Sequence, residues 1–211
     1  MFKSIRNAFK VKELRGKLLY TLMMLVVIRF GSQLPIPGIE TSFFADWFEK
    51  QSTNAFGFFN AMTGGSFSSM SIFALSITPY ITSSIIIQLL TIAIPRLEEL
   101  QKDGEDGRKK IQEYTRYTTV GLALFESAAM AIGFGRQGLL LDYNVPNIIV
   151  AVVTMTTGST LLMWFGEQIT EKGVGNGISI VLLFNILSSV PDDMRNLYYR
   201  FIFGQTIPTM I

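Results

Sequence analysis

Apolar residues fall into five runs, at 18–34, 73–94, 117–135, 148–166 and 178–190, separated by charged or glycine- and proline-bearing stretches. A helix rises about 1.5 Å per residue, so roughly 17–25 residues cross the apolar part of a bilayer. The first four runs have that length. The fifth is short unless its flanks also lie at membrane depth. The pattern predicts an all-α, polytopic membrane bundle of five spans. Around them lie a basic arm at 1–17, an external segment at 35–72, a loop at 95–116, a second external loop at 136–147 and a turn at 167–177. Residues 191–211 read as an external loop and the start of a truncated sixth span, because the final TIPTMI is apolar and unfinished.

Two stretches of the external segment resist a plain reading. In GGSFSSMSIFALSITPY (64–80), glycines and serines interrupt Phe67, Met70, Ile72 and Phe73, and Pro79 follows. Lipid favours a cleaner apolar helix, so the true span is expected only from about Phe73. Upstream, Phe43, Phe44, Trp47 and Phe48 recur at helical spacing, which predicts an amphipathic helix with its aromatics at a membrane interface.

Charge sets the orientation. Thirteen lysines and arginines lie in the arm, the 95–116 loop and at Lys172, against four on the other side (Lys50, Arg136, Arg195, Arg200). The positive-inside rule places the N-terminus in the cytoplasm of a cell (cytoplasmic) membrane protein. No A-x-A-like cleavage site follows the first run, and Pro35 and Pro37 mark a turn, so that run is expected to remain as a span. Only 16% of residues are charged and 49% are hydrophobic, against roughly 25% charged in soluble domains. Cysteine and histidine are absent. That excludes disulfides, thiol chemistry and Ser-His or Cys-His catalytic pairs, and the chain reads as a non-enzyme.

A few polar groups lie at membrane depth. Arg29 either snorkels to the outer headgroups or faces inward to tether an outer element. Gln88 and Asn185 suit interhelical hydrogen bonds, and Glu126 has no second ionisable group beside it in the runs. GVGNGIS (173–179) lacks the lysine and preceding strand of a phosphate cradle and reads as a tight turn, with Asn176 near a helix start. Small residues such as Gly121, Ala123, Ser127, Ala131, Gly158 and Ser159 permit close helix packing.

The blocks SIFALSITPYITSSIIIQLL, LEELQKDGEDGRKKIQEYTRY and LLMWFGEQITEKGVGNGISI resemble the SecY family of bacterial protein-conducting channel subunits, and RFGSQLPIPGI agrees with it. The resemblance implies the N-terminal half of a ten-span, pseudo-symmetric channel that passes unfolded polypeptides across the membrane and releases transmembrane segments into lipid. It implies a plug over 59–71, including Phe59, Asn60, Met62, Gly64, Gly65, Phe67 and Met70. It implies a pore ring with Ile77, Ile81 and Leu182, and a lateral-gate face of Thr82, Ile85, Ile86, Gln88 and Leu89. Arg108, Lys109 and Lys110 match a cytosolic docking surface for the SecA motor or the ribosome, with ribosomal RNA as a further contact. SecE and SecG subunits, signal sequences, unfolded preproteins and lipid are the other implied partners; neither a cofactor nor a metal is implied. Glu126 stands where an uncharged residue is expected. The alternative is half of a secondary transporter with inverted repeats, since glycine and proline interrupt the spans.

Overall fold

The computed structural model describes residues 11–51, 55–138 and 140–202. Eight helices run through them: α1 (Lys12–Gly31), α2 (Thr41–Gln51), α3 (Ala55–Thr63), α4 (Thr78–Ala93), α5 (Pro95–Lys102), α6 (Glu105–Gly135), α7 (Val145–Lys172) and α8 (Gly177–Ile202). Two isolated antiparallel bridges, Pro35 with Ser71 and Ile39 with Leu140, join the connecting segments. Local chemistry explains where helices begin. Proline occupies the first turn of α4, α5 and α7, where its missing N–H loses no intrahelical bond. Gly104 turns the chain at φ +79° ahead of α6, whose first turn carries Glu105 and Asp106 on the positive end of the helix dipole. At α8, the Asn176 Oδ1 accepts from the Ser179 N–H at 3.3 Å, capping the helix.

Two helices, α6 and α7, are long and apolar enough to cross a membrane, and α4 with α5 makes a third if that pair, bent by 103°, counts as one span. The apolar part of α8, Gly177–Pro191, is shorter. Phe125, Val153, Leu183 and Leu187 are exposed on the outside of the bundle, as apolar side chains facing lipid are.

The helices alternate in direction. At one end, the Val174 N–H donates to Thr21 Oγ1 at 3.2 Å, placing the α7–α8 turn against the middle of α1. At the other, the Leu141 N–H donates to the Gly38 carbonyl at 3.2 Å, joining the α1 exit to the α6–α7 loop. Small residues set the spacing between helices. Ala123 and Ala131 of α6 share a buried cluster with Ala151 and Met155 of α7. Ser127 and Thr156 hydrogen-bond across that interface at 2.9 Å. Gly158 meets the Ile72 carbonyl so closely that a Cβ there would overlap it, and Gly177 lies equally close to the Gly166 carbonyl.

Three expectations need adjustment. The helix of the second run starts at Thr78, because 64–77 forms a series of turns. The helix of the fifth run does not stop with its apolar part near Pro191: α8 continues to Ile202, since a proline restricts the turn before it without always ending a helix. In α2, Phe44 and Phe48 are buried with Phe67 and Met70 instead of lying at a membrane interface. Periodicity identifies an apolar face but not whether lipid or protein covers it. The Phe43 side chain, the distal arm with Lys3, Arg6 and Lys10, and the TIPTMI end lie outside what the structure describes.

Candidate functional site

Residues 60–71 form a compact knob. Asn60 organises its entry: Oδ1 accepts from the Ser68 N–H at 2.9 Å, and its carbonyl accepts from the Gly65 N–H and the Thr63 hydroxyl, both at 3.0 Å. Thr63 Oγ1 in turn accepts from the Phe67 N–H at 3.2 Å. Gly64 and Gly65 adopt φ +65° and +84°, a region that disfavours side chains. Phe59 meets Phe67 edge-on, with ring centroids 5.0 Å apart. Phe67 also packs edge-on against Phe44, and Phe44 against Phe134. Met62 is half-buried, whereas Phe67 and Met70 are buried. All seven plug candidates therefore lie on one self-bonded unit or in the helix that enters it.

The three ring candidates come together at the junction of α4 and α8. Ile77 is 0% exposed within a cluster containing Ile28, Phe73, Leu162 and Val181, and half-buried Ile81 and Leu182 pack on it. Ile186 stands one turn beyond Leu182 and is 39% exposed, so it shares that helix face. Ile186 was missed in the sequence, although its four-residue spacing from Leu182 was a usable signal.

The gate candidates lie on α4. Ile85, Ile86, Leu89 and Gln88 are exposed and Thr82 is half-buried, while Ser83, Ile87 and Thr91 on the opposite face are buried. Gln88 reaches Ser84 Oγ at 3.5 Å, and Thr82 donates to the Thr78 carbonyl at 3.1 Å. The exposed face is thus apolar with one amide.

Polar groups at depth resolve differently. Arg29 Nη1 donates to the Gly64 carbonyl at 2.8 Å, so it tethers the knob. Asn185 Nδ2 donates to Ser76 Oγ at 3.2 Å, and Ser159 Oγ donates to the Ser76 carbonyl at 3.2 Å. Ser76 itself sits at φ +53°, a strained conformation for a residue with a side chain. Half-buried Glu126 has no hydrogen-bond or ion-pair partner among the described residues.

At the opposite end, Arg108, Lys109 and Lys110 are exposed on the first turns of α6. Lys109 lies 3.8 Å from Asp106, and Lys110 borders a cavity of about 750 Å³ with Arg96, Asp103 and Tyr114. Gly107 lets α6 approach the Leu100 carbonyl of α5, fixing this corner. A polar network missed in the sequence lies nearby. Glu167 Oε1 accepts from Arg116 Nε at 2.8 Å and from Gln112 Nε2 at 3.1 Å. The partners are 51 and 55 residues apart, beyond any local pattern. No group of three or more potential metal ligands occurs among the described residues.

A family model described as SecY matches residues 71–211. The protein translocase subunit SecY of Escherichia coli (strain K12) is 48% identical over 183 residues, covering 85% of this chain and 41% of that protein. The corresponding subunit of Halalkalibacterium halodurans is 42% identical over 203 residues, covering 94% and 46%. A solved structure of a protein conducting channel superposes with a TM-score of 0.65 at 17% identity, over 90% of this chain and 42% of that one. That likeness concerns the fold. The chain spans less than half the length of these relatives. With that family model matching two-thirds of its length, the chain belongs to the SecY family.

Proposed function

We propose that this chain is the N-terminal half of the central subunit of a Sec channel, passing unfolded polypeptide across the cytoplasmic membrane and releasing transmembrane segments sideways into lipid. The observation that carries the reading is a pairing: a self-bonded knob seated on α8, and an aliphatic cluster of Ile77, Ile81 and Leu182 where α4 meets α8. A ring of aliphatic side chains admits an extended chain yet dewets when empty, which limits ion leakage. Ile81 and Leu182 supply this half's arc of the ring, and Ile77 joins it when the cluster loosens on opening. The exposed α4 face of Ile85, Ile86 and Leu89 is the near side of the lateral gate, facing the channel's other half. The basic end of the bundle lies in the cytoplasm, where Arg108, Lys109 and Lys110 dock the SecA motor or the ribosome. SecE and SecG complete the assembly.

A chimera tests this directly. These residues replace the aligned segment of the Escherichia coli relative, and preprotein import into inverted membrane vesicles is measured. Import driven by the chimera at a rate within about tenfold of the parent supports the reading. A chimera that accumulates and assembles yet imports nothing contradicts it. Ile81→Gly with Leu182→Gly in that chimera is expected to admit preproteins with weakened signal sequences; unchanged rejection of them removes both residues from the constriction.

A further inference from the structure

The knob is held very differently at its two ends. At its exit, the backbone is stitched to the segment after α1: the Ile36 N–H donates to the Met70 carbonyl at 3.0 Å and the Ile72 N–H to the Leu34 carbonyl at 2.9 Å. Beyond that point Ser76 is fixed by Ser159 and Asn185 from two other helices. This end is multiply bonded. Met70, whose carbonyl is one of these acceptors, takes φ +43°, a sharp turn at the end of the knob.

At the Gly64 end the backbone lies flush against α8. A Cβ on Gly64 would come within 2.7 Å of Ser188 Oγ and 2.9 Å of the Asn185 carbonyl. That contact is steric and not itself a bond. What fastens the end is the guanidinium of Arg29, reaching from α1 to the Gly64 carbonyl at 2.8 Å. Inside the knob, bonds from the Ser69 N–H to Gly65 and from the Ser71 N–H to Ser66, at 3.2 and 3.0 Å, tie the Gly64 end to the stitched exit.

We propose that Arg29 is a latch, a positioning residue whose hydrogen bond to the Gly64 carbonyl keeps the knob seated on α8, and whose release frees the Gly64 end of the knob from α8. A charge-assisted hydrogen bond is stronger than a neutral one and is exchanged for water once water reaches it. The latch is thus firm in the closed arrangement and reversible. Its effect on conduction rests on the plug reading above; the latch itself does not.

The test uses the full-length chimera with cysteines outside this chain removed, since the chain itself contains none. Ser66, 3% exposed in the knob, and Leu140, 6% exposed on the α6–α7 loop outside it, are replaced singly by cysteine. Labelling by a membrane-impermeant maleimide from the outer side is timed. Arg29→Gln is expected to speed labelling of Ser66→Cys about tenfold, as loss of one charge-assisted bond to a local opening equilibrium should. Leu140→Cys should be unaffected, and Arg29→Lys, which retains a charged donor, should show a smaller rise. Equal labelling of Ser66→Cys with Arg29 or Gln overturns the latch. So does a parallel rise at both cysteines, which would mean general loosening. Ion conductance recorded on the same samples separates the two claims: faster labelling without added leak keeps the latch and sinks the plug.

Discussion

Gly158→Leu is expected to leave little or no folded protein in the membrane. A side chain at 158 must begin where the Ile72 carbonyl already lies, and a backbone group cannot rotate aside as a flexible side chain can. Helix α7 would have to back away from the turns that precede α4. That movement breaks the bond from Ser159 to Ser76, now 3.2 Å, and strains the 2.9 Å contact of Thr156 with Ser127. Overpacking costs about 1–3 kcal/mol where neighbours can yield. Here they cannot, so the loss reaches or exceeds that range, a large share of the roughly 5–15 kcal/mol that holds a typical domain together. Gly158→Ala should accumulate with a lowered unfolding midpoint in detergent. Gly121→Ala, on the same bundle with nothing within 4 Å of the added Cβ, should leave the midpoint unchanged. Normal accumulation and melting of Gly158→Leu would show that α7 does not approach Ile72 as described.

Arg116→Leu comes next in size. Glu167 is 8% exposed and takes both of its side-chain hydrogen bonds, from Arg116 and Gln112, on Oε1. Removing the guanidinium leaves a nearly buried carboxylate with one amide donor. Breaking a buried pair on one side costs about 3–5 kcal/mol. The Arg116 side chain is 42% exposed, so water screens part of the interaction and the expected loss is about 2–3 kcal/mol. Arg116→Leu with Glu167→Leu removes both charges from the α6–α7 contact and should recover most of it. The check is the order of unfolding midpoints: parent, then double variant, then Arg116→Leu well below. Equal midpoints for the single and double variants would mean that the buried charge is not what matters.

How much of this was legible beforehand depends on the range of each interaction. Helices α6 and α7 were visible because long apolar runs with Ala123, Ser127 and Gly158 at close-packing positions state both the helix and its contact face. The spacing of Ile77 and Ile81 likewise pointed to their shared cluster, although Ile77 is the residue before α4 and its burial against Phe73 and Val181 had no local sign. The start of α4 was misplaced by five residues for a related reason. Residues 73–77 are as apolar as a span, but Ser159 and Asn185, 83 and 109 residues away from Ser76, hold it in a turn. Arg29 posed a choice between headgroup and tether, and its partner 35 residues on decided it. The α2 aromatics had the right period and the wrong neighbour. Long-range partners, polar for Ser76, Arg29 and Glu167 and apolar for Ile77 and α2, are the common element in what was missed, since periodicity marks a face and says nothing about its partner.

The central claim is that the 59–71 segment seals a conducting pore, and one recording tests it. The full-length chimera is reconstituted into planar bilayers with and without residues 59–71, and resting ion conductance is measured in the absence of preprotein. The proposed channel predicts low conductance with the segment present and frequent, large openings once it is removed. A deletion variant that is inserted and assembled yet stays as tight as its parent would contradict the channel account and favour a carrier, whose site is never open to both sides at once.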